Sequence, residues 1–481
     1  MATESQAADQ PTYTVVVQGT PNFDLPAYIA NYKGRTVFRR LHLIASCSTV
    51  LAEEAARMAV AEAKKGADVR NYNEAVSLLK RVSGGENVAS FLDPVWAAQQ
   101  EKKNTAETAR LENELKGYKN NLIKESIRMG NEDLGTHYYT IGDLTNAVKA
   151  YSRMRDYCTT ASHIASTAFR IIAVAIEQKN WLAVQSQVHK IRNLQMKPED
   201  ANRNFPKMQA AMGLQQMSIG EYREAALSFL NIDASISDSY NEVISSNDIA
   251  VYGGLCALAS MDRPDLQARV LENHSFRNFL ELEPHIRRAI NFFCATKYSQ
   301  CLQILESYRA DYLLDIYLQP IVSNIYKRIR TKSIIQYSLP FSKVTLASME
   351  KTFGDPPYQS TFLEEIEGLI NDGKLDARID LEHGTLNAIQ HDARAEAQQT
   401  ALDTVERFIR EARMKLIRMQ IIDAGLEVKP PLKKKGWNAD QTDVANFDDV
   451  GGGAGGGSGG MSSASLVGVG AGAGLESRRS G

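Results

Sequence analysis

Apolar residues recur at helical spacing along most of the chain, and short tetrads with turn character return between them. The tetrads are Ile141-Gly142-Asp143-Leu144, Gln178-Lys179-Asn180-Trp181, Ile219-Gly220-Glu221-Tyr222, Met261-Asp262-Arg263-Pro264 and Thr296-Lys297-Tyr298-Ser299. Their separation of about forty residues is that of stacked helical hairpins. One helix is expected to end at each tetrad and a second to begin with an Ala-rich apolar stripe. Ala147, Val148, Ala150 and Tyr151 form one such stripe, and Ala225, Ala226 and Phe229 another. Small side chains let paired helices approach closely, and a lone hairpin leaves one apolar face uncovered, so the units must stack. The pattern predicts a mostly all-α fold: an N-terminal helical region over 21–130, then a helical-hairpin solenoid over 131–319. Stacked hairpins offer surface rather than a cleft, which favours interaction over catalysis.

The pattern changes after Pro320. Ile321, Ile325 and Ile329 mark a helix ahead of Pro340, and Leu346, Met349 and Phe353 mark a short one closed by Gly354-Asp355-Pro356-Pro357. Thr361 with Glu364 forms a capping box, which satisfies orphan backbone donors at a helix start. The helix it opens has Leu363, Ile366, Leu369 and Ile370 as its apolar stripe and stops at Gly373. From Leu375 the period becomes two, placing Leu375, Ala377, Ile379 and Leu381 on one face of a strand, of which Leu375, Ile379 and Leu381 are expected to stay in its own core. Glu382-His383-Gly384-Thr385 turns the chain so that Leu386 to Ile389 return beside it. Helices followed by a small hairpin describe a winged helix over 320–391. Beyond it, over 392–425, Leu402, Val405, Ile409, Ala412, Leu416 and Met419 alternate spacings of three and four. That is the heptad seam of a helix packing lengthwise on other helices, and a seam extending past a completed domain predicts partners in other chains. Residues 1–20 and the Gly/Ser-rich stretch 426–481 are expected to be disordered, because they bury too little apolar surface to offset chain entropy.

Composition narrows the function. A formal charge of −2, from 55 Lys and Arg against 57 Asp and Glu, gives no general attraction to nucleic acid or anionic lipid. The recognition position of the winged helix carries Glu364, Glu365, Glu367 and Asp372, which repel phosphate, and the wing offers Arg378 alone. Apolar runs such as Ile171 to Ile176 are far shorter than a membrane span. Five scattered cysteines and the lack of a secretory pattern at Met1 to Gln10 point to a reducing compartment. Cys294 and Cys301 lack the second ligand pair of a metal site and read as small buried apolar residues.

The eight histidines include no His-x-His pair and no His-Glu-x-x-His, so the ligand set of a zinc isopeptidase is missing. His383 and His391 read as exposed turn residues. No phosphate loop or nucleophile elbow occurs, and no cofactor is expected. Lys327, Arg328, Arg330 and Lys332 read as a solvated or carboxylate-paired face, and Lys433-Lys434-Lys435 as a nuclear import patch or a solubilising run.

Tetratricopeptide-like hairpins capped by a winged helix are the arrangement of PCI-domain proteins, named for the proteasome lid, the COP9 signalosome and a translation initiation factor. The chain resembles that family, and within it the subunit 1 group of the signalosome. The resemblance runs through residues 27–36 (AYIANYKGRT), 118–130 (YKNNLIKESIRMG), 151–153 with 155–158, 279–284 (FLELEP), 329–337 (IRTKSIIQY) and 370–380 (INDGKLDARID). It implies a non-catalytic scaffold subunit of the complex that removes a ubiquitin-like modifier from cullins, and so regulates cullin-RING ubiquitin ligases. In that family the isopeptidase is a separate JAMM subunit. PCI subunits align through their winged-helix edges and contribute C-terminal helices to a common bundle. The implied partners are therefore other signalosome subunits and, indirectly, cullin-RING ligases. Leu375, Ala377 and Ile379 are the candidate contacts at the wing, and Leu402, Val405, Ile409, Ala412, Leu416 and Met419 those on the helix. Nuclear and cytoplasmic placement is expected, with no membrane or nucleic-acid partner. Competing readings are a proteasome-lid PCI subunit, which shares the architecture, and an RNA-associated PCI protein, which would need a salt-sensitive basic surface.

Overall fold

Four of the repeat turns are built on one residue in the left-handed conformation: Gly142 (φ 88°), Lys179 (φ 56°), Gly220 (φ 95°) and Thr296 (φ 62°). The N–H that follows each reaches back to a carbonyl in the helix just ended. Asp143 donates to Tyr138 (2.9 Å), Asn180 to Ala175 (2.8 Å), Glu221 to Gln216 (3.0 Å) and Lys297 to Phe292 (2.8 Å). This closure satisfies carbonyls that a helix end leaves without partners. Thr296 is the left-handed residue of the fifth tetrad, so the equivalent turn lies one residue earlier than the sequence pattern suggests. The Met261 turn departs from the pattern. Met261 is extended (φ −96°), and a regular second helix is replaced by a three-residue helix and a π-helical turn over Leu266–Leu271.

The computed structural model describes residues 16–83, 92–354, 361–389 and 393–426, in two compact units, Met1–His391 and Asp392–Gly481. In chain order α1 (Leu25–Ala30), α2 (Arg35–Cys47), α3 (Ala52–Lys65) and α4 (Val69–Val82) come first. Then follow α5 (Pro94–Asn120), α6 (Lys124–Ile141), α7 (Leu144–Arg155), α8 (Ala161–Glu177), α9 (Trp181–Arg192), α10 (Pro198–Ile219), α11 (Tyr222–Leu230) and α12 (Ser246–Ser260). After the short α13 (Arg263–Asp265) come α14 (His274–Leu282), α15 (Pro284–Cys294), α16 (Tyr298–Ser307), α17 (Arg309–Leu313) and α18 (Val322–Ser338). The remaining elements are β1 (Lys343–Thr345), α19 (Leu346–Phe353), α20 (Phe362–Asn371), β2 (Ala377–Asp380), β3 (Thr385–Ala388) and α21 (Ala393–Asp423).

Close helix approach depends on small residues. A Cβ on Gly135 of α6 would lie 2.5 Å from the Tyr151 ring on α7, and one on Gly213 of α10 2.8 Å from the Phe229 ring on α11. One buried apolar cluster runs without interruption from Ala165 in α8 to Leu386 in β3. A second gathers Val17, α1 to α4 and Leu314. Val17 is fixed at its margin, with its N–H on the Cys47 carbonyl at 2.8 Å.

The winged helix is a three-stranded antiparallel sheet in the order β1-β3-β2 with α18, α19 and α20 around it. Val344 and Ile379 both face Leu386 across the central strand. Strand β1 is the element the sequence does not announce, because three residues after a proline are too few to display a period. The capping box at Thr361 and Glu364 is present. Two side chains differ from expectation. Phe362 is buried in α20 while Leu363 is 38% exposed, the stripe having turned by one residue. Leu381 is 74% exposed rather than in the core. Pairing stops at Asp380, whose carboxylate accepts the N–H groups of Glu382 and His383 and turns the chain before Leu381 can follow the pleat.

Candidate protein-interaction surfaces

A buried ionic node fixes the N-terminal helices to the repeats. Arg40 on α2 is fully buried. Its guanidinium donates to Asp248 on α12 (2.8 Å) and to Asp315, just ahead of α18 (2.6 Å). It also donates to the Tyr28 hydroxyl and stacks 3.9 Å from the Tyr32 ring centroid. Tyr32 donates to Asp248 (2.7 Å), and Tyr252 donates to Asp315 (2.8 Å). Burial pushes the Asp248 carboxyl up to about 6 even with Arg40 beside it, and neighbouring Asp315 adds to the rise. A second node places Arg35 between Asp68 (2.7 Å) and Glu177 (2.8 Å), joining α2 to the start of α4 and the end of α8. Paired in this way, buried charges set one relative placement of the elements that carry them.

The basic cluster on α18 is structural. Arg330 pairs with Glu365 on α20 at 2.9 Å and caps the carbonyls of Phe353 and Gly354. Lys332 is half-buried rather than solvated. Its ammonium donates to the Leu258 carbonyl (2.8 Å) and the Met261 carbonyl at the end of α12, and lies 4.7 Å from the Phe293 ring centroid. Burial lowers it to about 8. Arg328 sits 4.7 Å over the Tyr222 ring. Lys327 and Arg328 are exposed and Arg330 is carboxylate-paired, as expected of the cluster, whereas Lys332 is neither solvated nor paired with a carboxylate among the described residues.

At the wing, Leu375 and Ala377 are buried and Ile379 is half-buried. The three therefore support the sheet from beneath, while Lys343, Thr345 and Arg378 are exposed. With β3 in the middle, β1 and β2 are both edge strands of the described sheet. Between the end of α18 and the sheet lies a groove of about 500 Å³, lined by Leu339, Phe341, Val344, Leu375, Leu386 and Ile389 among others. Leu339 is 74% and Phe341 47% exposed. Sequence reasoning passed over both. The available signal was two large apolar residues flanking Pro340, where no helix can shelter them.

Helix α21 carries its apolar residues in the open. Leu402 (60%), Val405, Ile409 (43%), Leu416 and Met419 are all exposed, with Ala412 half-buried. A second apolar row that the sequence reading did not separate, Met414, Ile417 and Ile421, follows the same three-and-four spacing on another side of the helix and is also exposed. Contiguous uncovered apolar surface of this kind marks an interaction site. Among the described residues no cluster of three or more potential metal ligands occurs, and no helix is long and apolar enough to cross a membrane. Cys301 is buried and its thiol pushed up to about 12, while Cys294 is partly exposed. His383 is exposed and 3.0 Å from Asp380. His391 and Lys433-Lys434-Lys435 lie outside the described residues.

Residues 305–388 match the PCI domain model and residues 93–269 the model described as 26S proteasome subunit RPN7. Over 425 residues the chain is 58% identical to COP9 signalosome complex subunit 1 of Emericella nidulans, covering 86% of this chain and 85% of that protein. The chain belongs to the COP9 signalosome subunit 1 family. Subunit 1 of Neurospora crassa is 42% identical over 84% of this chain and 92% of its own length. The Arabidopsis thaliana protein of the same name is 40% identical, with 85% and 91% covered. The 26S proteasome non-ATPase regulatory subunit 6 of Caenorhabditis elegans is more distant, 24% identical over 63% of this chain and 74% of that protein. The segment 27–36, quoted above for its resemblance, lies around the Arg40 and Arg35 nodes, since Tyr28, Tyr32 and Arg35 belong to both.

Proposed function

We propose that this chain is a non-catalytic scaffold subunit of the signalosome, which supports removal of a ubiquitin-like modifier from cullins and so regulates cullin-RING ubiquitin ligases. The observation that carries the reading is the exposed seam of α21 in a chain of the subunit 1 family. Helices exposing a row of large apolar side chains bury them against other helices, and the family resemblance supplies a bundle of C-terminal helices from sister subunits. The edges of β1 and β2 are the second proposed contact, where a neighbour's strand extends the sheet. Catalysis is assigned to the separate JAMM subunit, and the chain is placed in nucleus and cytoplasm.

Tagged protein should copurify with several other PCI chains and a JAMM isopeptidase, and its loss should leave cullins in the modified form. Recovery in proteasome particles instead would reject the assignment. That lid reading has in its favour the match of residues 93–269 to the proteasome subunit model and the more distant likeness to a proteasome regulatory subunit, and the same purification decides between the two. Isopeptidase activity in the isolated chain would overturn the non-catalytic part.

A further inference from the structure

Helix α21 also carries the pattern of a helix that can pair with its own copy. Taking Leu402, Ile409 and Leu416 as the a positions of the heptad and Val405, Ala412 and Met419 as d, the e positions include Glu406 and Arg413 and the g positions Ala401, Phe408 and Lys415. Residues at e and g flank the seam and choose partner and direction. Around a twofold axis between Ile409 and Ala412, an antiparallel second copy sets Leu402 against the partner's Met419 and Val405 against the partner's Leu416. Ile409 then meets the partner's Ala412, a large side chain on a small one.

In that arrangement each e position faces an e position, so Glu406 meets the partner's Arg413, and symmetry supplies the pair twice. On the other flank Phe408 lies against the partner's Lys415, an aromatic face beside a cation and its aliphatic stem. A parallel pair forms no such ion pair, because e would then face g: Glu406 would meet alanine, and Arg413 only the Phe408 ring. Both Glu406 and Arg413 are exposed, as are Phe408 (70%) and Lys415. Neither Glu406 nor Arg413 is drawn into an ion pair among the described residues. We propose that the free full-length chain self-associates through α21 as an antiparallel two-helix pair, with Glu406 and Arg413 fixing its direction. This pair occupies the seam that sister subunits need, so assembly displaces the second copy.

The inference shares its surface with the bundle reading but is tested apart from it. Sedimentation equilibrium of the full chain over a dilution series should show monomer and dimer. Glu406→Arg alone and Arg413→Glu alone should each weaken dimerisation by about three- to tenfold, the range for losing two exposed pairs and setting like charges opposite. The double exchange should restore it, an outcome that non-specific apolar adhesion or a parallel pair does not produce. All these positions are exposed, so the fold is kept, and circular dichroism checks this. A chain that stays monomeric at every concentration, or dimerises equally well with either single reversal, overturns the proposal. Copurification with sister subunits, measured on the same variants, reports on the bundle reading whatever the dimer does.

Discussion

Replacing Arg40 by methionine leaves Asp248 and Asp315 buried beside one another without their cation. Removing one partner of a buried pair costs about 3–5 kcal/mol, so Arg40→Met should lower the thermal midpoint far more than removal of the exposed Arg57–Glu53 pair. Differential scanning fluorimetry of the two variants makes the comparison. Asp248 gives the node a pH signature. Its carboxyl is raised in the folded chain to about 6, so the folded state holds this proton more tightly than the unfolded chain does. Its contribution is complete below the ordinary aspartate value and is lost as pH rises through about 6. The stability of the natural chain relative to Asp248→Asn should therefore fall between pH 4 and pH 7, as followed by denaturant titration at each pH. None of this was legible in the sequence, because Arg40 meets its acids 208 and 275 residues away. The tyrosines that line the node were visible only as part of a resemblance, and nothing local distinguished Tyr28 or Tyr32 from any half-buried aromatic.

Hairpin turns were legible because their chemistry is local. A helix must tie off its carbonyls within a few residues of its end, and Gly142 and Gly220 advertise the left-handed step that does so. Lys179 and Thr296 adopt it without that advertisement, and Thr296 as a β-branched residue does so at a cost. Thr296→Gly should stabilise the chain by about 1 kcal/mol, read as a rise in unfolding midpoint. The opposite sign is expected where the approach of helices is at stake. Gly135→Ala pushes a methyl into the Tyr151 ring and should cost about 1–3 kcal/mol. Elements whose existence depends on distant partners were not legible. Strand β1 is three residues long and is defined by its pairing with β3. The π-helical turn after Met261 replaces a helix that the tetrad pattern predicts. On α21 the seam could be read from spacing alone, whereas the exposure of the second row, Met414, Ile417 and Ile421, needed the structure.

At the scale of the whole molecule, Leu416→Asp should abolish copurification with other PCI chains while leaving the circular dichroism and melting of the repeats unchanged, since the residue is 58% exposed. An unaltered set of copurifying subunits would remove the seam from the account. The wing is held differently. The sequence changes character at Pro320, and a reader of the sequence alone divides the chain there. Yet Ile325, Ile329 and Ile334 of α18 lie in the same buried cluster as α12 on one side and Leu369 and Leu386 on the other, and Lys332 caps the end of α12. Scissors applied at that proline would thus strip two greasy wounds instead of freeing two finished parts, and neither piece should express as a soluble product. Helix α18 thus belongs to the hairpins and the wing at once, and a blow to its buried face injures both.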